Sequence, residues 1–146
     1  MDKTDSTILS ILKENSRASA SDISKQVSLS VPAVTERIRK LEQTGVNEKY
    51  TIRVSPGASG YNLLAFILVK MDYSRNMEAF QDVCLQLPQV LECHHTAGPA
   101  DFLLKVLFRD MQDIEDFLSC TLKDIKGVTD ANTIICLSTL KEEITV

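Results

Sequence analysis

The sequence predicts an α+β protein in two parts, a helical module over residues 1–54 and a mixed module over residues 62–146, joined by a linker at 55–61. Apolar residues recur at three- and four-residue spacing as far as position 45, whereas beyond position 62 strand-like and helix-like patterns alternate. Between them lies the chain's one Ser/Gly/Pro cluster, Ser55-Pro56-Gly57-Ala58-Ser59-Gly60. At 146 residues, with 44% hydrophobic and 25% charged, the chain can bury a core without staples and sits within the globular range.

In the first module Ile8, Leu9, Ile11 and Leu12 share one side of a helix, with Thr4 or Asp5 as N-cap and an end near Ser16. Ser19 or Ser21 caps a shorter helix carrying Ile23 and Val27 one turn apart, and Ser28-Leu29-Ser30 breaks it. A third helix starts from Ser30 as N-cap, tolerates Pro32 in its first turn and stops at Gly45. On a 100° wheel its Val34, Ile38 and Leu41 fall together, while Pro32, Glu36, Arg39 and Gln43 point away, flanked by Thr35 and Lys40. Residues 50–54 alternate enough to form a short strand, which completes the outline of a winged helix-turn-helix.

In the second module residues 63–71 are apolar on both alternating faces and read as a strand covered on both sides. Met77, Phe80, Val83, Cys84 and Leu87 recur at helical spacing and stop at Pro88. Residues 90–97 and 102–108 are strands joined by the turn Gly98-Pro99-Ala100-Asp101. Met111, Ile114, Phe117, Leu118 and Leu122 mark a helix opened by Asp110 or Asp113 and closed before Gly127, and residues 128–140 supply the last strand. The order βαββαβ is the ferredoxin-like arrangement, an antiparallel sheet with two helices on one face. Its second face also carries apolar residues, which predicts burial against another copy in a symmetric dimer.

Composition narrows the function. No run of some eighteen uncharged apolar residues occurs, so no membrane span is expected. The first residues lack the basic start and cleavage site of a signal peptide, which points to the cytoplasm. Cys84, Cys93, Cys120 and Cys136 show no paired spacing, so neither a disulfide nor a metal site is expected. Residues 1–61 hold nine Lys+Arg against seven Asp+Glu, net +2, and residues 62–146 hold seven against thirteen, net -6. That asymmetry suggests two modules with different partners.

The third helix would enter the major groove of DNA. Arg39 and Lys40 can reach phosphates or guanine edges, Thr35 a thymine methyl or a backbone oxygen, and Ser30 with the helix N-terminus a phosphate. Glu36 must accept from cytosine, pair with Arg39 or Lys40, or be repelled. A solvated face of a protein-interaction module remains the alternative. His94 and His95, adjacent on a strand, point to opposite faces and cannot chelate one metal together. No catalytic constellation is found: Cys93 beside His94 fails on the same geometry, and Gly57 and Gly60 make no phosphate loop. In the Gly98–Asp101 turn a glycine allowing a tight backbone and a carboxylate could hold the ammonium end of a small ligand, with Thr133 adding a hydroxyl. An ordinary hairpin whose Asp101 satisfies backbone donors is the plainer reading.

Five motifs in order resemble the leucine-responsive regulator/asparagine-operon regulator (Lrp/AsnC, feast/famine) family of transcription factors. They are D-x-x-IL-x-x-L-x-x-x-SR-x-S at residues 5–19, LS-x-x-x-V-x-x-RI-x-x-LE at 29–42, the following Gly45-Val46 with Tyr50-Thr51, AG-x-x-DFLLKV at 97–106, and GV-x-x-x-x-T-x-I at 127–135. The resemblance spans essentially the whole chain. It implies a winged-helix reader of double-stranded DNA joined to a ferredoxin-like effector domain (RAM domain), which dimerises through its sheet and assembles into tetramers or octamers. It implies an amino acid or related metabolite as effector and no cofactor. On matching positions it assigns DNA contact to Ser30, Pro32, Ala33, Thr35, Arg37, Arg39 and Lys40, to which the helix wheel adds Glu36. Arg37 lies at the edge of the buried face, so a structural role is open to it as well. It assigns effector contact to Gly98, Asp101 and Thr133, with Pro99 and Ala100 as turn backbone. Asn47, where the family usually has an apolar residue, implies a looser wing. Sirohaem decarboxylases share the layout and would cast His94 and His95 as functional, but the arginine-rich strand that such an enzyme needs is missing, so no enzyme is expected.

Overall fold

The computed structural model describes residues 1–72 and 76–143. The chain divides into two compact units, Met1–Arg53 and Val54–Glu142. The first contains helices α1 (Lys3–Glu14), α2 (Ala20–Val27) and α3 (Val31–Gln43).

Helix α1 begins earlier than Thr4 or Asp5 would set it, because two aspartates three apart form a capping box. Asp5 N–H donates to Asp2 Oδ1 at 2.8 Å, and Asp2 N–H donates to Asp5 Oδ2 at 2.9 Å. Ser19 caps α2, accepting from Asp22 N–H at 3.1 Å. The turn into α3 passes through Ser28 at φ +55°, and α3 runs out towards Gly45 at φ +71°, where glycine avoids the left-handed penalty. Ile8, Leu12, Ile23, Val34 and Leu41 are the buried core, so each helix gives one stripe to it.

No strand forms at residues 50–54. Alternation alone does not make a strand, since its N–H and C=O groups need a neighbouring ladder and the chain offers none there. Ile52 is 80% exposed and Val54 55%. Val46, beside Asn47, is 48% exposed as well, in keeping with a loosely packed segment.

The second unit opens with a 3-10 turn, Gly57–Ser59, and continues as β1 (Leu63–Met71), α4 (Met77–Gln86), β2 (Val90–His95), β3 (Phe102–Phe108), α5 (Met111–Asp116), a π-helical turn (Phe117–Leu122) and β4 (Val128–Ile135). The sheet order is β2-β3-β1-β4, antiparallel throughout, as the ferredoxin-like reading requires. Ala65, Ile67, Val69 and Met71 of β1 and Phe102, Leu104, Val106 and Phe108 of β3 face the helices and are buried with Phe80, Phe117 and Leu122. The opposite face of β1 is only half-buried, so within one chain the strand is covered on one side rather than two.

Three bounds differ from expectation, the first being β2, which ends at His95 rather than residue 97 because Thr96 is already bonded into the turn, to Ala100 O and Asp101 O. β4 ends at Ile135 rather than residue 140, because Ile135 pairs with Ala65 and β1 has almost no chain left to pair beyond it. Cys136 N–H still donates to Leu64 O at 2.8 Å, after which Leu137 is fully exposed. The helix from Met111 widens into the π turn, with Lys123 N–H donating to Leu118 O at 3.3 Å. Phe117 and Leu122 are both buried, although five residues of α-helix would set them about 140° apart. The wider turn brings them to one side.

Candidate functional site

Helix α3 is fixed from both ends and from beneath. Ser30 Oγ accepts from Ala33 N–H at 3.4 Å, Pro32 sits in the first turn, and Val34 and Leu41 are buried. Pro32, Thr35, Glu36, Arg39 and Lys40 are left exposed on the outer side, with Ala33 half-buried. The Thr35 hydroxyl donates to Val31 O at 3.0 Å, which leaves its methyl and lone pairs outward.

Glu36 is neither solvated alone nor repelled. Arg39 Nε donates to its Oε2 at 2.9 Å and Nη2 to its Oε1 at 2.5 Å, an edge-on bidentate pair one turn along the helix. Those bonds, then the charges of Arg39 and Lys40, hold the Glu36 carboxyl below its ordinary value. The same pair raises the Arg39 guanidinium.

Arg37 is committed elsewhere. Its Nη1 donates to Asp2 Oδ2 at 2.8 Å and to Asp5 Oδ1 at 2.6 Å, tying α3 to the capping box of α1. Both carboxyls are held low, in each case first by the backbone N–H of the other aspartate and then by Arg37. A groove between the start of α1 and α3 is lined by Met1, Asp2, Asp5, Ala33, Glu36, Arg37 and Lys40. The role of Asp2 and Asp5 is invisible to helical periodicity, since their partner lies more than thirty positions away.

In the second unit the turn Gly98–Asp101 is sewn to the end of β1. Asp101 N–H donates to Val69 O at 2.9 Å, and Asp101 Oδ2 accepts from Met71 N–H at 2.7 Å. Thr96 closes the turn, its N–H donating to Asp101 O at 2.8 Å and its hydroxyl to Ala100 O at 2.7 Å. Asp101 thus does satisfy a backbone donor, through one of its two oxygens. Gly98 is not there for a left-handed backbone, and a Cβ would meet nothing within 4 Å. Pro99 is exposed and Ala100 buried.

Thr133 does not join that turn within one chain. It pairs with Ile67, four residues back along β1 from Met71 and so about 13 Å away. Its hydroxyl is buried and has no hydrogen-bond partner. A second groove, beside the π turn, is lined by Leu118, Leu122, Lys123, Val128, Thr129, Asp130 and Ala131. Sequence reading passed over it, the five-residue spacing of Phe117 and Leu122 being its one signal.

His94 and His95 lie on opposite faces. His95 packs against the Phe102 ring at 5.1 Å, and His94 Nε2 lies 3.1 Å from Glu92 Oε2 on the open face. Lys105 there donates to Glu92 at 3.1 Å and also to Glu142. The four cysteines are free; burial, with Cys93 nearby, pushes the Cys84 thiol up to about 12. Among the described residues no group of three or more His, Cys, Asp or Glu could hold a metal, and no helix is long and apolar enough to cross a membrane.

This geometry is matched by known proteins over its whole length. Residues 1–42 match the AsnC-type helix-turn-helix domain, and residues 64–146 match the Lrp/AsnC ligand binding domain. The chain belongs to the Lrp/AsnC family. Among its relatives, the HTH-type transcriptional regulator FL11 of Pyrococcus horikoshii is 34% identical over 142 residues, covering 97% of this chain and 93% of its own. The leucine-responsive regulatory protein of Escherichia coli is 31% identical over 144 residues, 97% of this chain and 88% of its own. A transcriptional regulator of Neisseria meningitidis, solved as a complex with L-Met, superposes with a TM-score of 0.96 at 33% identity, over 100% of this chain and 96% of its own. Like these Lrp/AsnC members, the chain is a transcriptional regulator with a helix-turn-helix domain and a ligand-binding domain.

Proposed function

We propose that the protein regulates transcription by placing α3 in the major groove of double-stranded DNA, and that an amino acid bound by its second unit alters DNA affinity or assembly. The observation that carries this reading is the outer stripe of α3, which keeps Glu36, Arg39 and Lys40 exposed while Val34 and Leu41 anchor the helix. Ser30, Pro32, Ala33 and Thr35 approach the backbone at its N-terminal end. Arg37 serves by fixing α3 against α1, in keeping with its bonds to Asp2 and Asp5.

The ligand-binding domain carries the effector. The space over Gly98, the free oxygen of Asp101 and the unpartnered hydroxyl of Thr133 suit an amino acid's ammonium and carboxylate ends. Because Thr133 and Asp101 stand apart in one chain, the pocket draws them from neighbouring copies. The half-buried face of β1, with Ile134 51% exposed beside it, supports a homodimer closed through the sheet and extended to tetramers or octamers. In this division residues 1–54 read DNA, 55–61 link and 62–146 sense and assemble. L-Methionine is the first effector to test, since the Neisseria relative was solved with it.

The experiment is an anisotropy titration on a duplex from upstream of the protein's own gene, with random competitor, at fixed salt, with and without L-methionine. Competitor-resistant binding that shifts with L-methionine in the native protein, but not in Asp101→Ala, is the expected result. Binding no tighter than to random DNA would overturn the reading for that duplex, and an L-methionine shift retained in Asp101→Ala would remove Asp101 from the pocket.

A further inference from the structure

Helix α3 carries three cations, Arg37, Arg39 and Lys40, and the structure disposes of them differently. Arg37 is held by two carboxylates of α1. Lys40 is an exposed point charge suited to phosphate. Arg39 alone presents a planar fork outward, and Glu36 occupies one edge of that fork. A guanidinium has five N–H donors; the Nε/Nη2 edge takes two of them to Glu36 and leaves the Nη1/Nη2 edge open.

The open edge has the two parallel donors that guanine O6 and N7 accept, the commonest specific arginine contact in the major groove. A phosphate fits it worse. The pair carries no net charge, so it gains little from counterion release, and its carboxylate would face the phosphate's own negative charge. Nor does the pair exist for the fold, since side chains 62% and 53% exposed gain little stability from pairing in water. In a groove from which water is excluded, the same carboxylate holds a flexible side chain in one orientation and so removes part of the entropy cost of the contact.

We infer that Glu36 is a positioning residue, which holds Arg39 edge-on so that α3 reads a guanine at one fixed position of each half-site. This rests on the DNA-reading role proposed above. It also turns Glu36 from an obstacle to DNA binding into a source of specificity. Released from Glu36, Arg39 would be free to meet phosphates, so loss of the carboxylate trades base reading for sequence-independent attraction.

The test uses the full chain, native and as Glu36→Gln, to select duplexes from a pool with a randomised core long enough for two half-sites. The native protein enriches a guanine at one position per half-site. Replacing that guanine by 7-deazaguanine, which lacks the N7 acceptor, weakens native binding about tenfold and Glu36→Gln binding by less than about twofold. Glu36→Gln also binds random duplex with a salt slope steeper by roughly 0.9 for each half-site occupied, one added phosphate contact per copy. Circular dichroism shows the same helix content in both, as an exposed pair requires. Two results would overturn the inference: Glu36→Gln discriminating the guanine as the native protein does, or 7-deazaguanine having no effect at any enriched guanine. Failure of the native protein to enrich any sequence would overturn the DNA-reading role itself, and is told apart because it falls in the native arm.

Discussion

Among the described residues the helical unit buries five apolar side chains, Ile8, Leu12, Ile23, Val34 and Leu41, none of them aromatic, whereas the sheet unit buries fifteen, among them Phe80, Phe102, Phe108 and Phe117. Burial of apolar area is the main source of stability, so the second unit has the larger margin. The first makes up part of the difference with polar devices at helix ends: the Asp2/Asp5 box, the Ser19 and Ser30 caps and the Arg37 clamp. The comparison teaches a division of labour. A small unit that must keep one whole helix face free for a ligand has few residues left for a core, and so depends on its termini.

Paired core truncations test this most severely. Phe102 packs between Phe80 at 4.6 Å and His95 at 5.1 Å, and Phe102→Ala should cost about 3–5 kcal/mol. Ile8→Ala should cost about 2–5 kcal/mol, yet from a smaller total. Hydrogen exchange followed by segment should show Ile8→Ala opening residues 1–53 while residues 54–142 stay protected. Equal opening of both units by either change would erase the contrast.

Acid should sharpen it. Asp2 and Asp5 are held below the ordinary aspartate value of 3.8 in the folded state, so their contribution is complete above that pH and is lost as pH falls through the folded values. Melting followed from pH 5 downwards should show the helical unit losing stability first, and Asp5→Asn should flatten that loss. A helical unit as acid-resistant in the native protein as in Asp5→Asn would mean that the clamp contributes nothing. The smallest effect belongs to Ser30→Ala: its bond to Ala33 N–H is long at 3.4 Å, so about 0.5 kcal/mol is expected from thermal melting, at the lower end for an N-cap.

The sequence was most legible where one local rule decided the outcome. Near-continuous apolar runs bounded β1 and β3 to the residue, because both are central strands, buried on the helix side and half-buried on the other. Ser30, Pro32 and Gly45 bounded α3 for the same reason. Where two residues had to meet from afar, the sequence was silent. Arg37 finds Asp2 and Asp5 only through the packing of α3 on α1, and Asp101 finds the Met71 N–H only through the register of β3 on β1. Residues 50–54 alternate like a strand but have no ladder to join, which a pattern along the chain does not reveal. The helix-end rules likewise offered Thr4 and Asp5 as equals, until reciprocal bonds between Asp2 and Asp5 decided for the earlier start.

The free thiols give the protein an internal clock. Cys84, on the buried side of α4 with its thiol pushed up to about 12, stays protonated at neutral pH, while Cys120 lies exposed on the π turn. An alkylating reagent therefore marks Cys120 at once and reaches Cys84 only when the sheet unit opens. The ratio of the two labels counts those openings, without any change to the sequence.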